Sequence, residues 1–150
     1  MSQHEVMSAE AIPEQVGLSF LALAHDVRER LDRHMVAAAG ISLARTKVLQ
    51  VLAAHGTLHQ AELADALGQA PRSVTQIVEG LERGGLIART GDPDDRRRKT
   101  VFLTEKGRTA LTAAERAGTQ LLRRLFGSLD RRQLAALEAL LARIETADAD

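Results

Sequence analysis

The apolar residues of this 150-residue chain keep a helical period almost throughout and abandon it once, between Gly85 and Thr104. In that window Leu86-Ile87-Ala88-Arg89 and Thr100-Val101-Phe102-Leu103 read as two short strands. The loop between them is polar, with Gly91 and Pro93 as turn residues. The expected class is therefore mainly α with a small β-hairpin.

Helical spacing places the remaining elements. A first helix is expected from about Pro13 to Ala38, with Val16, Phe20, Ala24, Val27, Leu31 and Met35 at steps of three and four. Leu18, Leu21 and Ala22 widen that stripe near its start. A lone surface helix rarely needs two apolar faces, so a second chain is expected against it. Ser42 caps a second helix, Leu43 to about Ala54, and a short third runs from Gln60 to Leu67. Gly68 supplies the left-handed turn, and Pro71 opens a fourth helix to about Arg83 with Val74, Ile77, Val78 and Leu81 inward. Beyond the hairpin, Thr104 caps a long helix to about Phe126. Asp130 with Gln133 starts a last one carrying Leu134, Leu137, Leu140, Leu141 and Ile144.

Several function classes fall away. Cysteine is absent, which removes disulfides, thiol nucleophiles and thiolate metal sites. No apolar run reaches the roughly 18 residues of a membrane span, and MSQHEVMSAEAI lacks the pattern of a secretory signal, so a cytoplasmic protein is expected. There is no nucleophile elbow, phosphate loop or metalloprotease helix. Asp94 and Asp95 sit beside bases that favour their ionised form, which is wrong for a general acid. A glycine and a helix break separate His55 from His59, against a metal pair. No enzyme, metal or cofactor is expected.

Charge position says more than charge sum. The formal net charge is zero, yet Gln69 to Arg108 holds nine Lys or Arg against six Asp or Glu. The basic excess sits in the middle of the chain, around a hairpin whose tip reads GDPDDRRRKT. Short helix, glycine turn, second helix and basic-tipped hairpin make up the winged helix-turn-helix arrangement, which suits duplex DNA. The outward residues of the fourth helix, Arg72, Ser73, Thr75, Gln76 and Glu79, offer groups for base edges and phosphates.

Four stretches carry a closer likeness. They are LHQAELA from Leu58, SVTQIVEGLERGGLI from Ser73, DPDDRR from Asp92 and LTEKG from Leu103. In this order and spacing they resemble the multiple antibiotic resistance regulator (MarR) family over about Ile41 to Leu111. The resemblance implies that Arg97 enters the minor groove and that Asp95 holds its guanidinium, as bidentate pairing would allow. Arg96, Arg98 and Lys99 are then phosphate contacts or alternates for the groove. The chain departs from the family pattern at His59 and Ala70, where capping hydroxyls are usual, and at Gln76, where Arg is frequent. Thr57 with Gln60 is the expected substitute cap for the third helix.

The resemblance further implies one protomer with a DNA-binding lobe at 41–103 and a helical dimerisation region at 13–38 and 104–148. The expected dimer contacts are Leu18, Leu21, Leu121, Leu125, Leu134, Leu137, Leu141 and Ile144. Family members respond to small anionic or phenolic effectors, for which Phe20, His25, Met35 and Arg45 are the candidate lining. The expected function is a sequence-specific, ligand-responsive repressor that binds a palindromic duplex operator as a homodimer. The alternative is a helical dimeric protein-interaction module that uses the winged helix as scaffold.

Overall fold

The structure is a computed structural model and describes residues 10–95 and 97–148. Helix α1 (Pro13–Ala39) ends at Gly40, whose φ of 74° suits glycine and whose N–H bonds to the Val36 carbonyl at 2.9 Å. The turn that follows is stitched from both sides. Asp32 of α1 accepts from the backbone N–H of Leu43 at 2.7 Å, and Ser42 accepts from that of Arg45 at 3.2 Å. Two orphan amides of α2 (Leu43–His55) are thereby satisfied, one locally and one by the preceding helix.

Helix α3 (Gln60–Leu67) packs on α2 and helix α4 (Pro71–Arg83) on α3, around a core of Val48, Leu49, Leu52, Leu63, Val74, Val78 and Leu81, none more than 1% exposed. Each fully buried aliphatic side chain contributes about 1.5–3 kcal/mol of transfer free energy. Gly85, with φ 74°, ends α4: its N–H bonds to the Glu82 carbonyl and that of Leu86 to Leu81, so the chain leaves reversed into the sheet.

The sheet has three strands rather than the expected two. Strand β2 (Ile87–Gly91) and strand β3 (Lys99–Leu103) form the hairpin, and β1 (Leu58–His59) adds to the far side of β3 in the order β1-β3-β2. Leu58 pairs with Val101 and His59 with Thr100. Two residues are too few to show an alternating pattern, so β1 left no periodic signal. The cap of α3 also differs from expectation: Glu62 accepts from the His59 backbone N–H at 3.1 Å, while Gln60 is engaged elsewhere.

Helix α5 (Glu105–Phe126) starts at Thr104, whose hydroxyl accepts from Gly107 N–H and donates to the Gly85 carbonyl. Gly107 passes directly under Leu86, where any Cβ would collide with the Leu86 carbonyl oxygen. Further along, Leu31 and Met35 of α1 pack over Gly118, each 3.6 Å from where a Cβ would stand, which is ordinary contact distance. Helix α6 (Arg131–Glu145) begins with the expected capping box, Asp130 and Gln133 exchanging bonds at 2.8 and 3.0 Å. It buries none of its own residues.

The apolar surplus read from the sequence is plainly exposed: Leu18 66%, Leu21 63% and Ile144 63%. Leu121 is a correction. It is 4% exposed, because Ala114, Ala117 and Leu121 form the stripe by which α5 packs within its own protomer. Leu125 and Leu137 are half-buried. Met35, expected in an effector pocket, is core at 4% exposure, under Gly118.

Candidate nucleic-acid interface

Gly68, with φ 63° and ψ 31°, turns the chain between α3 and α4. The short connection holds α4 across α3 with its apolar face on the core and its polar face outward. Arg72, Ser73, Gln76 and Glu79 are exposed on that face. Thr75 is only half-exposed, and its hydroxyl is already occupied. It accepts from the Gln60 side-chain amide at 2.8 Å and donates to the Pro71 carbonyl at 2.9 Å. Ala70 provides no side-chain cap, so Pro71 at the first position fixes the entry of α4 by its φ alone.

The wing tip answers why three acids precede four bases. Asp92 accepts from the backbone N–H of Asp94 at 2.9 Å, and Asp95 from that of Arg97 at 2.9 Å. The Asp92 N–H bonds to Arg98 O and the Arg98 N–H to Asp95 O, both at 3.0 Å, closing the loop. These are Asx-type turns, in which carboxylates replace the backbone acceptors a tight loop lacks. Asp95 thus orders the main chain that carries Arg97. Among the described residues it forms no ion pair with the guanidinium, contrary to the expected pairing. Arg97, Arg98 and Lys99 are exposed, and Arg96 lies outside the described residues.

A second polar cluster joins α4 to β2 and α3. Arg89, on β2, donates Nε and Nη2 to Glu82 of α4 at 2.9 and 3.0 Å, and its Nη1 lies 3.5 Å from Gln60 Oε1. The hydrogen-bonded guanidinium holds the Glu82 carboxyl below its ordinary range, and Glu82 raises Arg89 in return. The sequence offered one signal, an acid and a base seven residues apart across a Gly-Gly turn, but only the fold brings them together. Beside this cluster α3, α4 and the wing enclose a cleft of about 360 Å³, lined by Thr75, Glu79, Arg89, Arg97 and Lys99 among others.

The four candidate effector residues do not converge. Phe20 lines an apolar groove between α1, α5 and α6, together with Val27, Leu122, Phe126, Leu137 and Leu141. His25 is exposed on α1, and Met35 is core. Arg45 lines a cavity of about 570 Å³ between the end of α1, α2, α4 and α5, whose lining also includes Lys106. Lys106 donates to the Gly84 carbonyl at 2.9 Å. Among the described residues no group of three or more His, Asp or Glu is placed to hold a metal ion.

A glycine-turned helix pair, an exposed polar helix face and a small sheet with a basic tip define a winged helix-turn-helix protein. Residues 39–98 match the model of the MarR family, and the chain belongs to that family of transcriptional regulators. The transcriptional repressor MdtR of Bacillus subtilis is 33% identical over 100 residues, which are 67% of this chain and 64% of MdtR. The matched stretch therefore spans less than two thirds of that relative's length. Among solved structures, the YusO protein of Bacillus subtilis superposes with a TM-score of 0.77 at 26% identity, over 94% of this chain and 99% of that one. A mutant MarR from Escherichia coli, solved in complex with operator DNA, shares the fold with a TM-score of 0.68 at 24% identity, over 89% of this chain and 99% of that one. Among the described residues no single helix is long and apolar enough to cross a membrane.

Proposed function

We propose that this protein is a sequence-specific, duplex-DNA-binding transcriptional repressor that acts as a homodimer in the cytoplasm. The observation that carries this reading is the pairing of two exposed surfaces. Arg72, Ser73 and Gln76 on α4 suit the major groove, and Arg97, Arg98 and Lys99 on the wing suit the minor groove and flanking phosphates. Arg96 belongs to the same basic run in sequence. Residues 41–103 then form the DNA-binding lobe, while 13–38 and 104–148 pair the protomers. The exposure of Leu18, Leu21, Leu134, Leu141 and Ile144 supports that division. A two-fold dimer would read half-sites about 34 Å apart, and so a near-palindromic operator.

Repression is favoured because steric block needs no surface for polymerase, and MdtR is itself named a repressor. A small anionic effector would fit the cavity that Arg45 and Lys106 both line. Its apolar walls, Ala38, Ile41, Leu86 and Ala110, suit the flat body of a phenolic acid.

Selection on genomic DNA tests the reading. Purified protein is incubated with fragmented DNA from its source, the bound fraction recovered at about 150 mM salt, where non-specific phosphate binding is weakened, and sequenced. Enrichment of an imperfect palindrome is the expected result. Absence of any enriched sequence, with effector dialysed away, overturns it in favour of a protein-interaction role.

A further inference from the structure

Four side chains tie the recognition helix, the helix before it and the root of the wing into one hydrogen-bonded chain. It runs from Glu82 in the last turn of α4 to Arg89 on β2, then to Gln60 at the start of α3. From there it continues to Thr75 and ends on the Pro71 carbonyl in the first turn of α4. Both ends of α4 are therefore referenced to the strand that leads into the wing tip.

We propose that the Glu82–Arg89 pair is a positioning device for DNA recognition, setting the angle between recognition helix and wing so that major- and minor-groove contacts form together. It rests on the DNA-binding reading above. A carboxylate meeting two N–H groups of a planar guanidinium fixes direction as well as distance, which a lysine cannot do. The same chain occupies the Thr75 hydroxyl and the Gln60 amide. These two are positioning residues, and Arg72, Ser73 and Gln76 remain free to face bases. The charge of Glu82 argues the same way. A surface built only to attract phosphate gains nothing from a carboxylate at the penultimate residue of its recognition helix. A surface that needs a fixed angle gains the acceptor.

The sign of one mutation separates the two explanations. Binding of wild type, Glu82→Gln and Arg89→Lys is measured by fluorescence anisotropy on the selected operator and on a scrambled duplex, with unfolding midpoints alongside. Simple electrostatics makes Glu82→Gln bind both duplexes more tightly, since a negative charge is gone. The positioning role makes each variant weaken operator binding about tenfold, with scrambled duplex changed less than about twofold. It also makes Arg97→Ala cost less in the Glu82→Gln background than in wild type, because the wing is no longer delivered in register. The unfolding midpoints at pH 7 should fall by at most about 4 °C, the pair being partly exposed. Unchanged or tighter operator binding by Glu82→Gln overturns the proposal, as do equal losses on both duplexes or wild-type behaviour of Arg89→Lys. If Glu82→Gln fails to fold, Arg89→Lys and Gln60→Ala carry the same comparison. A wild type that binds no duplex overturns the DNA-binding reading and this proposal together; a binding wild type with an unaffected Glu82→Gln overturns this proposal alone.

Discussion

Arg97 and Gly107 show how differently single residues act in this protein. Arg97 is exposed at the wing tip, and its backbone is held by Asp95 through a 2.9 Å hydrogen bond. Its side chain supports no packing, so Arg97→Ala should cost about 1–3 kcal/mol of operator affinity with no loss of stability. Equal operator affinity in a well-folded variant would remove Arg97 from the interface. Gly107 is the reverse case. A Cβ there meets the rigid Leu86 backbone, so Gly107→Ala should destabilise the fold by about 3 kcal/mol in chemical denaturation. Gly80 makes the contrast: its added Cβ would lie 2.8 Å from the Arg45 guanidinium, which is the end of a flexible exposed chain and can swing away. Gly80→Ala should therefore be neutral, or stabilising by up to about 1 kcal/mol from helix propensity.

At the scale of elements, the question is what sets α4 against the wing. Apolar contact alone leaves some rotation between a helix and a short hairpin. The Glu82–Arg89 pair removes it, and its ionisation gives the element a pH dependence. Arg89 lowers the Glu82 carboxyl from its ordinary 4.5, chiefly by hydrogen bonding. A carboxylate lowered on folding contributes stability that is present above its unfolded value and lost as pH falls through the folded one. The stability difference between wild type and Glu82→Gln should thus be constant above about pH 5 and shrink on acidification below it, as thermal unfolding from pH 7 to 3 would show. A difference that stays level through pH 3 would mean that the pair does not form in solution.

The whole molecule divides its apolar surface unevenly. The lobe from α2 to β3 closes over a core of nearly inaccessible side chains, whereas α1 leaves Val16, Leu18, Phe20, Leu21 and Leu23 at least half exposed and α6 buries nothing of its own. Apolar surface left open to this extent calls for a partner, and the dimer reading supplies a second copy. Leu21→Asp tests it with little risk to the protomer, since that side chain is 63% exposed. The variant should sediment as a folded monomer and lose operator affinity, because one half-site then holds one lobe. A dimeric Leu21→Asp protein would move the interface elsewhere.

Helix order, caps and the hairpin could be read from the chain because they depend on neighbours three or four residues apart, as at Ser42, Gly68 and the Asp130–Gln133 box. The basic tip and the outward face of α4 followed from the same local periodicities. Other features depend on residues that meet only when the chain closes. Strand β1 exists because β3 offers it a partner. Leu121 and Met35 are core because α5 packs along α1 within one protomer. Asp95 bonds main chain rather than guanidinium because the loop's own amides are nearer. Thr75, which looked free to read a base, is occupied because Gln60 and Arg89 stand beside it. Periodicity determines which face of an element is apolar, and so the elements and their order; which polar groups meet across elements is decided only by packing.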